Sequence, residues 1–242
     1  LGGFNLADRL GAMPNKETAS ILGRVLFPSF SERRDNLAGM RSLLLDSTKI
    51  LAITGLPSSV AIAWLAGPLL HWCYGDKWDH AIPFFQVLPF ASLCRALVTP
   101  AGEACKAIGR TGVLFAYYIV QFVMMVVLLW PATRFFGPMG VPLSILVATL
   151  GSLLWFTYKA SLALSISYRS LSWSWVKITA IMLLAAIMGL VSSWLRISDH
   201  WLIEPLMEAG VAMLGFAGLL LLTDRAILVR MIGERFLRRQ AP

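Results

Sequence analysis

Thr111–Thr133 reads TGVLFAYYIVQFVMMVVLLWPAT, without one charged residue. A helix of about 20 apolar residues crosses the hydrocarbon core of a bilayer, about 30 Å at 1.5 Å per residue. Five stretches of the same kind surround it. Ile50–Leu70 and Ala81–Gly102 come before; Phe135–Tyr158, Ile178–Leu195 and Pro205–Thr223 come after. Among all six, only Ala81–Gly102, with Arg95, and Pro205–Thr223, with Glu208, carry a charge. A shorter apolar helix can be buried in a soluble core, but six of this length in 242 residues cannot. The pattern predicts an all-α, polytopic membrane helix bundle, since open sheets leave unpaired backbone in lipid.

Composition agrees. The chain is 57% hydrophobic and 14% charged, with a mean hydropathy of +0.71; soluble domains carry about 25% charged residues. The net charge of +8 raises nucleic acid as a partner, but the basic residues sit between the apolar stretches, as the positive-inside rule expects. Cys73, Cys94 and Cys105 show no CxxC or Cys/His spacing, and their odd number closes no disulfide framework. All three read as free packing thiols, and no metal site is expected.

Charge also orients the chain. Arg33, Arg34, Arg41, Lys106, Arg110, Lys159, Arg169, Lys177, Arg225, Arg230, Arg235, Arg238 and Arg239 fall on one set of connections. The alternate set holds only Lys77, Arg134 and Arg196. The first set and the C-terminus are therefore expected in the cytoplasm, and 71–80, 134–138 and 196–204 outside. Most of the nine Trp residues stand near span ends, as an interfacial belt requires. No signal peptide is visible and the chain opens at Leu1 without Met, so a fragment lacking an N-terminal part is expected.

Residues 1–30 are helical in pattern but polar. Asn5, Asp8, Ala12, Asn15, Ala19 and Gly23 recur every three or four residues, with Arg9, Lys16, Glu17 and Arg24 beside them. An amphipathic surface helix is one reading. The reading preferred is a seventh span whose polar face lines a water-filled cavity, because intramembrane charges face a bundle interior or a pathway. Pro14 interrupts or kinks that helix, and Phe27-Pro28 ends it. The organisation expected is a cavity-lining helix over 1–30, a cytoplasmic loop over 31–49, a six-helix bundle over 50–223 and a basic tail over 224–242.

Within the second stretch Arg95, Thr99, Glu103 and Lys106 share a helical face. Glu103 and Lys106 read as a pair near the cytoplasmic end. Arg95 lies deeper, where a guanidinium is costly unless paired or hydrated. It is the best candidate to grip an anion such as a diphosphate, which Arg binds bidentately. Arg9, Lys16, Arg24, Asn5, Asp8 and Asn15 complete the candidate lining.

Several motifs resemble a known family. Gly3-Phe4-Asn5-Leu6-Ala7 with Leu10 and Pro14, then Arg24-Val25-Leu26-Phe27-Pro28-Ser29-Phe30-Ser31, resemble the opening of the second half of bacterial polysaccharide flippases. Gly75-Asp76-Lys77-Trp78 with Ala81-Ile82-Pro83 is similar to their outward loop, and Ala107-Ile108-Gly109-Arg110 to the cytoplasmic end that follows. These belong to the multidrug/oligosaccharidyl-lipid/polysaccharide exporter superfamily. The motifs cover about residues 1–110; the rest matches only in span count and topology. The resemblance implies two homologous bundles around a central cavity, this chain being the second. It also implies alternating-access export of undecaprenyl-diphosphate-linked sugar units across the bacterial inner membrane, with no catalysis and no cofactor. The other half of the transporter and membrane lipid would be its partners. Asn15-Lys16-Glu17-Thr18 is more charged than the family pattern, which leaves the coupling ion, H+ or Na+, open.

Two other functions compete. A cation-coupled multidrug exporter of the same superfamily would want an acidic, aromatic cavity, against which Arg9, Lys16, Arg24 and Arg95 speak. A membrane-embedded polyprenyl-lipid transferase would draw on His71, Asp76, Asp79 and His80, with Asp199 and His200, for acid–base work. No HExxH, nucleophile elbow or phosphate-cradling Gly loop supports it.

Overall fold

The computed structural model describes residues 2–164. The chain divides into two compact units, Leu1–Ile178 and Thr179–Pro242, and the described residues all belong to the first. They form five α-helices: α1 Gly2–Glu32, α2 Leu37–Tyr74, α3 Ile82–Ala107, α4 Thr111–Phe136 and α5 Gly140–Ala163. Short 3-10 turns at Asp76–Ala81 and Gly137–Met139 join α2 to α3 and α4 to α5. No strand occurs among the described residues. Three continuous helical stretches are long and apolar enough to cross a membrane: Leu37–Tyr74, Asp76–Ala107 and Thr111–Ala163. The third holds both α4 and α5, which fold back on each other and pack side by side. Two expected spans, Ile178–Leu195 and Pro205–Thr223, and the basic tail lie outside the described residues.

The expected loop over 31–49 is mostly helix. Only a tight turn at 33–36 separates α1 from α2. Asn36 caps α2, its side chain accepting from the Gly39 N–H at 2.9 Å. Met40, Leu44, Ser47, Thr48 and Leu51 then recur at helical spacing and are buried, while Arg41 and Ser42 stay exposed. At 38 residues α2 measures about 57 Å, nearly twice the hydrocarbon thickness, so its first turns extend beyond a bilayer. Pro28 does not end α1 as expected. α1 runs through Pro14 and Pro28 to Glu32, and α2 and α3 continue through Pro57, Pro68, Pro89 and Pro100. Packing holds these helices together despite the lost N–H donors. Pro83 does stand in the first turn of α3, where its missing N–H costs nothing.

α3 is the hub and touches all four other helices. α1 runs along it in the same direction. Gly3 meets Ala81 and His80, Gly11 meets Pro89, and Gly23 meets Thr99 and Glu103. A helix laid flat on a membrane surface could not follow α3 through this whole length. The contact is made by small residues: Gly3, Ala7, Gly11 and Asn15 form the buried stripe at four-residue spacing, which lets the backbones approach closely.

Two apolar layers flank the middle of the bundle. One holds Ala7, Ala66, Leu70, Ala81, Phe85, Leu88, Ala91 and Ile145. The other, toward the C-terminal end of α3, includes Leu26, Phe30, Met40, Leu44, Val98, Ala104, Tyr117, Leu153 and Phe156. Ser144, Thr149, Ser152, Thr157 and Ser161 are buried on α5, and each hydroxyl donates to a carbonyl of its own helix. Their polarity is satisfied locally and asks for no ligand.

Candidate functional site

Almost every residue of α3 is covered by a neighbour. Apart from Gln86 on the opposite face, its open line is Arg95, exposed, followed by the partly covered Thr99, Glu103 and Lys106. α4 leans on α5 and only lightly on α3, which leaves a cleft between α3 and α4. The cavity there measures about 210 Å³ and is lined by Arg95, Val98, Thr99, Gly102, Glu103 and Lys106 from α3 and by Leu114, Tyr117, Tyr118 and Gln121 from α4. Gly23 of α1 closes its other edge against Thr99 and Glu103.

The charges in the cleft are unevenly partnered. Lys106 Nζ donates to Glu103 Oε1 at 2.5 Å, so the pair expected at this end of the span is formed. Arg95 makes no ion pair or hydrogen bond among the described residues. It stands about 16 Å along the helix from Lys106, close to half the hydrocarbon thickness. Gln121, ten residues into α4 from its start at Thr111, reaches a similar depth of about 15 Å. A guanidinium and an amide thus face one cavity midway along α3 and α4. Together they offer hydrogen-bond donors and positive charge to an anion.

The candidates on α1 separate into three places. Asn5, Arg9 and Arg24 are exposed. Asn5 and Arg9 lie about 160° around the helix from the nearest stripe residues, and Arg24 about 100° from Gly23, at 3.6 residues per turn. None of the three lines the α3–α4 cleft. Asp8 and Lys16 are exposed beside the stripe and form no ion pair among the described residues. Asn15 is in the stripe itself and is 1% exposed.

Asn15 builds a polar knot between the two apolar layers. The two N–H donors of its Nδ2 are shared among three acceptors: Ser59 Oγ of α2 at 2.9 Å and, on α3, Ser92 Oγ at 2.9 Å and the Pro89 carbonyl at 3.1 Å. Ser59 donates onward to the Gly55 carbonyl at 2.7 Å, and Ser92 to the Pro89 carbonyl at 2.8 Å. Asn15 Oδ1 has no hydrogen-bond partner. It lies against Gly55, where a Cβ would stand 2.6 Å away; the glycine Cα–H points at the oxygen instead, a weak contact of the kind recurrent where helices approach closely. Asn15 thus ties three helices and is walled off from the cavity. The expectation that it lines the cavity is corrected by its burial.

The loop between α2 and α3 carries the residues that raised a transferase. His71 Nδ1 lies 3.0 Å from Asp76 Oδ1 and 4.0 Å from Asp79 Oδ1, with all three side chains at least half exposed. His80 instead stacks on Trp78 and backs onto Gly3. The loop ties α2 to the start of α1 around Gly75, whose φ of 72° only glycine adopts without strain. Asp199 and His200 lie outside the described residues. No group of three metal-ligating side chains converges among the described residues. Cys94 and Cys105 are buried free thiols, as expected, but Cys73 is exposed at the end of α2 and packs nothing.

Tyr117, Tyr118 and Gln121 were not singled out from the sequence. The signal was present: Gln121 is the one amide in the charge-free stretch Thr111–Thr133, placed one turn after the Tyr pair. Ser59 and Ser92 carried no signal, since Ser is common inside apolar helices.

A bundle of long apolar helices with a polar cleft at mid-depth defines a polytopic helical membrane protein. A family described as "Polysaccharide biosynthesis protein" matches residues 1–83. The lipopolysaccharide biosynthesis protein WzxC of Escherichia coli K12 is 25% identical over 169 residues, covering 69% of this chain and 34% of that protein. The teichuronic acid biosynthesis protein TuaB of Bacillus subtilis 168 is 30% identical over 115 residues, 48% of this chain and 24% of its own length. The amylovoran biosynthesis protein AmsL of Erwinia amylovora is 23% identical over 140 residues, 56% of this chain and 36% of its own. Over these stretches the chain is similar to proteins of polysaccharide biosynthesis. It spans about a third or less of the length of the relatives it matches. No solved structure matches it with significance.

Proposed function

We propose that the chain is part of a transporter, not an enzyme, that exports lipid-linked polysaccharide repeat units across a bacterial plasma membrane. The observation that carries this reading is the open face of α3. On the side of α3 that turns to α4, Arg95, Thr99, Glu103 and Lys106 line a cavity, and the Arg95 guanidinium, midway along the helix, has no ion pair or hydrogen bond among the described residues. Such a charge is retained for a ligand or a pathway, and a diphosphate is the anion that a guanidinium grips best. The kinship with proteins of lipopolysaccharide, teichuronic acid and amylovoran biosynthesis supports a glycan cargo.

In this reading α1 is a span, since it follows α3 through its whole length. Its outer line of Asn5, Arg9 and Arg24 would face a second helical bundle or the water between the two, because lipid would not tolerate those charges. Rocking of one bundle against the other would alternate access to the site. The 33–36 turn and the 108–110 connection are cytoplasmic, and so is the C-terminus. In the full-length protein, Arg95→Ala should abolish surface polysaccharide while leaving the protein level in the membrane unchanged. Arg95→Lys should restore only part, since a bidentate contact is lost. Normal export by Arg95→Ala removes the site from the account.

A further inference from the structure

The α3–α4 cleft is amphipathic along one edge. Arg95 and Gln121 mark its deep end and Lys106 its end toward the connection at 108–110. Beside them, Phe115, Tyr118 and Phe122 stand on one edge of α4 and are exposed to 68%, 59% and 67%. Only Tyr117 is buried on this helix. Of the lining residues, Tyr118 belongs to both surfaces, to the cavity and to the apolar edge.

We propose that the α3–α4 seam is a lateral entry for the lipid carrier, with its diphosphate between Arg95, Gln121 and Lys106 and its polyprenyl chain along Phe115, Tyr118 and Phe122. This rests on the transport reading and adds where the carrier enters and what holds its tail. Charge complementarity argues for the occupant: a basic cavity opening sideways onto an aromatic edge fits a molecule with an anionic head and a single apolar chain. An ordinary phospholipid fits less well. Its phosphate belongs at the membrane surface, whereas Arg95 lies about 16 Å further in along α3; only a carrier whose headgroup is being moved must bring its phosphates to that depth. It also has two tails for one edge. The Glu103–Lys106 contact closes the shallow end of the seam, and Lys106 would exchange this carboxylate for the entering phosphate.

The test is photo-crosslinking of the full-length protein in nanodiscs of phosphatidylethanolamine and phosphatidylglycerol containing undecaprenyl diphosphate. p-Benzoylphenylalanine is placed at Phe122 or, as a control, at Val147 on the exposed face of α5. The expected result is a carrier adduct at 122, none at 147, and at least a tenfold fall in the adduct when Arg95→Gln is added. Equal carrier adducts at both positions overturn the proposal. So does phosphatidylglycerol captured at 122 in proportion to its abundance, or a crosslink from 122 to residues 165–242 in place of the carrier. Export by the same variants is scored in parallel. Export without a carrier adduct at 122 sinks the seam and leaves the transport reading standing. Normal export by Arg95→Ala sinks the transport site whatever is captured at 122.

Discussion

Gly55→Ala should loosen the junction of α1, α2 and α3 at its polar centre. A Cβ there would stand 2.6 Å from Asn15 Oδ1 and 2.6 Å from Leu93 Cδ1, where ordinary contact begins at 3.4 Å. Leu93 can turn, but the Asn15 amide is held by three acceptors on two helices. α1 and α2 must therefore separate by most of an ångström, or Asn15 must give up bonds. Overpacking of this kind costs about 1–3 kcal/mol, and an interhelical hydrogen bond within a membrane is worth about 0.6 kcal/mol, rarely above about 1.7. The sum is roughly 2–4 kcal/mol. Asn15→Ala alone should cost only about 1–2 kcal/mol, since Ser59 and Ser92 keep their carbonyl acceptors. In the Asn15→Ala background, Gly55→Ala then meets one obstacle instead of two. A double-mutant cycle read by reversible unfolding in mixed micelles should give a coupling of about 1 kcal/mol. The reasoning fails if Gly55→Ala changes stability by less than about 0.5 kcal/mol, or if the two substitutions are additive.

Cysteine accessibility checks topology and burial together. Cys73 should react with a membrane-impermeant maleimide in intact cells, whereas Cys94 and Cys105 should resist it until the protein is denatured; labelling of Cys73 only after permeabilisation would reverse the orientation. The Glu103–Lys106 pair is open to a charge swap. Glu103→Lys combined with Lys106→Glu keeps an i,i+3 pair and should restore the membrane level of the protein lost in either single variant. Export should stay impaired, because the cationic end of the cleft has moved; full export by the swap would make the pair purely structural.

The class of fold was legible because bilayer thickness leaves few choices for an uncharged run such as Thr111–Thr133. Charge bias suggested an orientation, and Arg95 stood out as the one charge within Ala81–Gly102. Other features were hidden for identifiable reasons. Residues 37–49 carry Arg41, Asp46 and Lys49 and read as loop, but a helix that protrudes from a membrane keeps its 3.6-residue period while changing its polarity. Asn15 shared a three-to-four spacing with Asp8 and Ala19, and spacing alone could not separate a cavity face from a helix interface. Its i−4 neighbours Gly11, Ala7 and Gly3 held the answer, since a stripe of small residues ending in a polar one marks close helix packing. Arg9 and Arg24 were grouped with Arg95 by charge sign; both are exposed on α1 and neither lines the α3–α4 cleft. The aromatic edge of α4 was invisible because lipid-facing and ligand-facing Phe look alike in sequence.

The most direct test is transfer itself. The full-length protein is reconstituted in proteoliposomes with a fluorescent undecaprenyl-diphosphate oligosaccharide in one leaflet. The fraction reaching the other is then read with an impermeant glycosidase. Wild type should move the lipid, Arg95→Ala should fall to the protein-free background, and Arg95→Lys should lie between them. Transfer by Arg95→Ala at the wild-type rate would contradict the claim that the cleft of α3 and α4 holds the diphosphate.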